Sequence, residues 1–163
     1  DKATDGRANA RGIRCLYLGD TPETTIYEAR AGAYDYVTVG KFRLKKDIIV
    51  VDLKKINQIS PFIDGLDCLE YAINKEHLNK INDEMGKIMR RSDSALDYVP
   101  TQYITDFVKS IVHDDKAEYA GIEYKSVMHS GGYNLALFDP DLFECVDSEV
   151  NGLDTIDYRK HIV

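Results

Sequence analysis

The chain is poor in three things that would each define a class of protein: cysteine, positive charge and long apolar runs. Its three cysteines, Cys15, Cys68 and Cys145, are odd in number and lie far apart, without the close pairing of a zinc site or a redox motif. They read as reduced, mostly buried thiols of a cytoplasmic protein. Lysine and arginine number 21 against 28 acidic residues, a formal net charge of -7, so no broad electropositive surface is available to a nucleic-acid backbone. A small anion is still within reach, because a few arginines gathered in one cleft act through local geometry rather than net charge. No apolar run approaches the roughly 20 residues that a membrane-spanning helix needs, and no charged-then-apolar signal segment opens the sequence. Internal repeats and low-complexity tracts are absent as well.

What is there fits one globular domain: 163 residues, 44% of them hydrophobic, with room for a real core. Residues 13–18 form a short run of strand-formers between Gly12 and Gly19-Asp20. A helix should follow, with Thr21 as cap, Pro22 in its first position, Glu23 in its first turn and an end near Gly32. Residues 36–44 alternate as a half-buried strand would, residues 48–53 read as a more fully buried one, and Lys45-Lys46-Asp47 reads as the turn between them.

From Ile56 to Ser94 the period becomes helical, with Leu78, Ile81, Met85, Ile88 and Met89 on one stripe. A further helix after Pro100 should turn Ile104, Phe107, Val108 and Ile111 inward, and strands at 121–126 and 133–138 should close the domain. The segment after Pro140 reads as an acidic tail. Strands, helices and strands again, without regular alternation, indicate an α+β fold. Gly131-Gly132 reads as a hairpin turn, since it lacks the strand-then-helix setting of a dinucleotide fingerprint.

Near the amino terminus an arginine, an aromatic ring and a carboxylate fall close together in Gly6-Arg7-Ala8-Asn9, Leu16-Tyr17-Leu18 and Ile26-Tyr27-Glu28. These are the groups needed to clamp a pyrophosphate, pack against a flat heteroaromatic ring and stabilise a developing sugar cation. His77 and His113 sit among charged neighbours and read as solvated, while His129 and His161 fall in a turn and the tail. No spacing suits a metal. Arg90-Arg91 closes a helical stretch, where cations favour the dipole.

The ordered set of short motifs resembles the RES domain family, named for a recurring arginine, glutamate and serine. It runs through Gly6-Arg7-x-Asn9-x-x-Gly12, Leu16-Tyr17-Leu18, Pro22-Glu23-Thr24 with Glu28, Phe42-Arg43-Leu44 and Val51-Asp52-Leu53. It continues through Tyr98-x-Pro100-Thr101-Gln102, Gly121-Ile122-x-Tyr124-Lys125-Ser126 and Gly131-Gly132-Tyr133-Asn134-Leu135-x-Leu137-Phe138. The resemblance implies a fold like the diphtheria-type ADP-ribosyltransferases, with two antiparallel sheets forming a cleft for NAD⁺ and, here, a helical insertion at about 56–95. It implies a bacterial, cytoplasmic toxin that cleaves the nicotinamide–ribose bond of NAD⁺, with water or phosphate as acceptor, and a helical, DNA-binding antitoxin of the Xre type as partner. Transfer of ADP-ribose to a protein, or a silent binding module on the same fold, are the other readings. No metal is required.

Carried over by the resemblance, Arg7 is the phosphate clamp, Tyr17 the ring-facing residue and Glu28 the catalytic carboxylate. Ser126 binds the nicotinamide ribose or orients Glu28, and Asn134, the polar residue after the glycine turn, binds the dinucleotide. Four of them have a plain structural alternative: a loop-closing salt bridge for Arg7, a core tyrosine with a satisfied hydroxyl for Tyr17, a helix-surface carboxylate for Glu28, a strand-end cap for Ser126. A RES domain normally opens with a strand before the Gly-Arg motif, whereas six residues precede Arg7 here. That strand is therefore expected on a segment upstream of this chain, or else Arg11 or Arg14 takes its role.

Overall fold

The computed structural model describes residues 2–153 except 61, 63, 64, 66 and 88–94. Its centre is a four-stranded sheet in the order β1 (Leu16–Gly19), β7 (Tyr133–Leu137), β6 (Gly121–Lys125), β3 (Val50–Asp52). β1 runs antiparallel to β7, from Leu16↔Leu137 to Gly19↔Asn134, so the two ends of the motif set meet side by side. β6 and β7 form the expected hairpin, though a further strand follows it so that it does not close the domain, while β3 lies parallel to β6. The expected pair of purely antiparallel sheets is thus corrected: the main sheet is mixed. Between β3 and β6 the described residues include two α-helices, a crossover long enough to bring the strand back in the same direction.

Several boundaries shift for local reasons. β1 begins at Leu16, because Ile13 and Arg14 stand exposed before it. The helix α1 (Pro22–Glu28) has Thr21 as its cap, whose hydroxyl accepts from the Thr24 N–H, and Pro22 in its first turn. It ends at Glu28 rather than near Gly32, since Arg30 takes the left-handed φ of 53° that no helix continues through. That early stop leaves Glu28 in the last turn, against the sheet. The run at 48–53 gives only the three-residue β3, half-buried, because Ile49 is exposed and Asp52 caps a 3-10 turn over Leu53–Gln58.

β2 (Tyr36–Leu44) has the expected bounds but a different partner. It pairs with β8 (Phe143–Gly152), the segment expected as an acidic tail, from Tyr36↔Gly152 to Leu44↔Phe143. Lys45-Lys46-Asp47 therefore does not join two paired strands. This ribbon is exposed on both faces over most of its length, so neither face demands apolar residues and the period-2 signal fades from β8. Cys145 on the ribbon and Cys68 at the start of a helix are exposed, against the expectation of buried thiols. Cys15 is half-buried, and that burial pushes its thiol up.

The core lies between the sheet and two helices, α2 (Cys68–Gly86) and α3 (Val99–Ser110). Asp67 caps α2 by accepting from the Leu69 and Glu70 N–H groups. Met85 is wholly buried among Leu53, Ile56, Val108, Ile122, Tyr124 and Ala136, with Leu78 and Ile81 packed alongside. Ile88, Met89 and Arg90-Arg91 lie outside the described residues, as does His161. On α3 the buried residues are Thr101, Thr105 and Val108, whereas Phe107 is 62% exposed. The stripe sits one position away from the apolar reading because both threonines meet their own needs: Thr105 donates to the Thr101 carbonyl and Thr101 to that of Tyr98. Two short strands, β4 (Val112–His113) and β5 (Lys116–Ala117), form a separate hairpin.

Met85→Ala is expected to lower the unfolding free energy by about 2–5 kcal/mol, as for other buried long side chains, while Phe107→Ala should change it by less than about 0.5. Urea unfolding of both variants checks this, and comparable losses would mean that α3 faces the core through Phe107 after all.

Candidate active site

Two side chains, one just after β6 and one on β7, converge on one carboxylate oxygen of α1. Glu28, half-buried in the last turn of α1, accepts at Oε1 from the Ser126 hydroxyl at 2.6 Å and from Asn134 Nδ2 at 2.7 Å. Oε2 takes no hydrogen bond from the described residues. The Ser126 hydroxyl in turn accepts from the His129 backbone N–H at 3.0 Å, which leaves its own proton for Glu28. Asn134 is buried on β7, opposite Tyr124 on β6 and Gly19 on β1. Strand pleating puts Asn134, Tyr124 and Ala136 on the same side of the sheet as Tyr17, the face that also meets the core.

A second set of bonds locks α1 to the hairpin. The wholly buried Thr24 donates to Asp20 Oδ1 at 2.7 Å, and its Oγ1 lies 2.8 Å from His129 Nδ1 and 2.9 Å from Thr21 Oγ1. The His129 ring stacks on Tyr27, with centroids 5.3 Å apart and planes within 6°. Gly132 is required here, since a Cβ would run into Thr24 Oγ1 and His129 Nδ1. Burial pushes the Asp20 carboxyl up, but hydrogen bonds from the Tyr133 N–H and the Thr24 hydroxyl outweigh it and hold the group below its ordinary value.

Arg7 and Tyr17 form a neighbouring group. Gly6 and Asn9 close a tight loop through backbone bonds, the Tyr17 hydroxyl donates to Asn9 Oδ1 at 2.8 Å, and it accepts from the Ala8 N–H at 2.9 Å. A Cβ on Gly6 would strike both Asn9 Oδ1 and Tyr17 Oη. Gln102 on α3 ties the loop down by donating to the carbonyls of Gly6 and Asn9. The loop thereby aims Arg7, whose guanidinium donates to the carbonyls of Met85 and Lys87 at the end of α2. Cations at that end complement the helix dipole. Tyr17 as a residue is 41% exposed although its hydroxyl is engaged, and burial raises that phenol well above its ordinary value.

The structure therefore brings Glu28, Ser126 and Asn134 into direct contact and places Arg7 and Tyr17 beside them without a hydrogen bond to that trio among the described residues. Electrostatics connects the groups: burial raises the Tyr124 phenol, the charge of Arg7 pulls it down, and that of Glu28 pushes it up again. Arg11 is exposed, and Arg14 makes only a loose exposed pair with Asp141 at 3.8 Å. His77 and His113 are exposed, as their charged neighbours suggested. Sequence reading missed His129, Thr24 and Asp20 as a unit, because the bond that joins His129 to Thr24 spans 105 residues, for which no local spacing exists. Among the described residues no group of His, Cys, Asp and Glu is suited to a metal ion. Cavities of about 640 and 200 Å³ lie elsewhere, one against Ile48, Ile49, Tyr119 and Phe138, the other against Ile56, Ile59, Tyr71 and Leu78. Neither includes a residue of the trio, although charged side chains line both, among them Lys46, Asp47, Lys109 and Glu118 in the larger and Asp67, Glu70 and Lys75 in the smaller.

The chain is thus an α+β domain that carries an arginine, a glutamate and a serine in that order, the last two hydrogen-bonded. The model of the RES domain matches residues 1–159, and the chain belongs to the RES domain family. That family is related to NAD and to toxin–antitoxin systems. No curated protein and no solved structure matches the chain significantly. No helix among the described residues is long and apolar enough to cross a membrane.

The depressed Asp20 carboxyl gives a pH signature. Its folded value lies below its unfolded one, so its contribution is present above the unfolded value and lost as pH falls through the folded one. Thermal unfolding at stepped pH should show Asp20→Asn less stable than the original chain at neutral pH and the gap closing under acid. A constant gap from about pH 7 to about pH 2 would rule this out.

Proposed function

We propose that the domain breaks the nicotinamide–ribose bond of NAD⁺ and passes the ADP-ribosyl unit to water or inorganic phosphate. The observation that carries this reading is the bonded trio: two neutral donors hold Glu28 Oε1, so the carboxylate is fixed in direction while Oε2 is left for substrate. Nicotinamide leaves with the electron pair of the C1′–N bond, which neutralises its ring nitrogen and leaves positive charge on the ribose. A preorganised carboxylate beneath that carbon stabilises the cation where it develops. The acceptor oxygen then adds to C1′, and its proton leaves to Glu28 or solvent.

The remaining residues fit around this step. The guanidinium of Arg7 carries more N–H donors than the two carbonyls take, and the others are available to the pyrophosphate. Tyr17, anchored by its hydroxyl, offers a ring face to the flat nicotinamide. Ser126 and Asn134 steady Glu28 and present polar atoms to the ribose. Within this reading the fold is ADP-ribosyltransferase-like, the site of action is the bacterial cytoplasm, and an Xre-like antitoxin restrains the enzyme by covering the cleft.

Incubation with NAD⁺, with and without phosphate, followed by mass identification of the products, tests the reaction and its acceptor. Free nicotinamide with ADP-ribose or its phosphate is expected; intact NAD⁺ refutes the activity, and ADP-ribosylated protein refutes the acceptor. Glu28→Gln should lower kcat by about 10²-fold or more with little change in KM, because the lost charge acts mainly in the transition state. Arg7→Lys should instead raise KM, since a point charge replaces a planar fork. Wild-type kinetics in either variant would remove that residue from the site.

A further inference from the structure

We propose that His129 is a positioning residue for Glu28, acting as an Nδ1–H donor that pins α1 to the β6–β7 hairpin; this rests on the NAD⁺-cleaving reading above. The proton assignment follows from the bonds around Thr24. Asp20, held as a carboxylate, can only accept, so the Thr24 hydroxyl proton goes to Asp20 Oδ1. Thr24 Oγ1 then has only lone pairs for its other neighbours. His129 Nδ1, 2.8 Å away, must carry the hydrogen. The Thr21 hydroxyl, 2.9 Å away, donates as well, which agrees with its own oxygen accepting from the Thr24 N–H.

His129 thus grips both halves of the site. Its ring holds α1 through Thr24 and through the stack on Tyr27, the residue next to Glu28. Its backbone N–H orients the Ser126 hydroxyl, and its carbonyl accepts from the Gly132 N–H at 3.1 Å. Removing the ring leaves those backbone bonds in place but takes away two of the ties between α1 and the hairpin, leaving the bonds of Glu28 itself. Glu28 is then held less firmly between Ser126 and Asn134, while the groups assigned to the dinucleotide remain.

The test combines kinetics with a direct reading of the proton. His129→Ala should lower kcat by about tenfold with the KM for NAD⁺ within about twofold, the mark of a group acting on the transition state. His129→Asn sets an amide N–H where Nδ1 was and should restore most of the loss, whereas His129→Gln, whose amide reaches the Nε2 position, should not. Unchanged kcat in the alanine variant, or equal losses in the asparagine and glutamine variants, overturns the assignment. In the unsubstituted chain, ¹⁵N NMR of the imidazole should show Nδ1 protonated; an unprotonated Nδ1 overturns it independently of catalysis and of how the variants fold. A chain that leaves NAD⁺ intact sinks the proposed activity, and the protonation state then decides the proton assignment alone.

Discussion

The hydrogen bonds that Ser126 and Asn134 donate to Glu28 Oε1 join parts of the chain 98 and 106 residues apart. Much of the architecture follows from making that junction possible. β1 must lie against β7 so that α1, which leaves β1 through a single turn, arrives over the end of the β6–β7 hairpin. The hairpin must turn tightly enough for Gly132 to pass beneath Thr24. Even the early stop of α1 belongs to this constraint, because a further turn would carry the chain away from the sheet just after Glu28.

The loop that carries Arg7 is built on a similar plan with different parts. Its backbone is held from three sides: by Tyr17 on β1, by Gln102 on α3, and by its own Gly6–Asn9 bonds. Buried polar side chains are tolerable only when their donors and acceptors are met, and Asn9 is met by Tyr17, Thr4 and Ala10. The motif residues around Arg7 therefore build the support, and Arg7 alone projects from it to the end of α2. A chain with a net charge of -7 can present a cation usefully only by such local fixing.

How much of this was legible in the sequence depends on whether a residue's role is local. The cap at Thr21, the bounds of β2 and the β6–β7 hairpin rest on near neighbours, and the sequence carries those signals plainly. Met85 was readable too, since a helical stripe reports a buried face. β8 was not, because a ribbon wet on both faces has no reason to alternate. Nor was the true inward face of α3, where threonines satisfied by the helix's own carbonyls occupy places that an apolar count gives to Phe107. Glu28, Ser126 and Asn134 were named through the family motifs, whereas His129 stands outside every motif and gains its meaning only from the stack on Tyr27 and the bond to Thr24.

Physical support for α1 comes almost entirely from outside it. A helix of seven residues is too short to persist in water on propensity alone, since isolated helices below about 12–15 residues are marginal even in favourable sequences. Three of its members, Thr24, Thr25 and Ile26, are β-branched residues with modest helix propensity. What holds it is Thr24 buried against Asp20 and His129, Tyr27 stacked on the His129 ring, and Glu28 bonded to Ser126 and Asn134. The helix and the carboxylate site therefore form together: loosening the hairpin melts the element that carries Glu28, and loosening α1 leaves Ser126 and Asn134 facing each other without the anion between them. Such mutual dependence keeps the carboxylate from being presented in any geometry but the assembled one, as the role proposed for it toward a developing ribose cation would require.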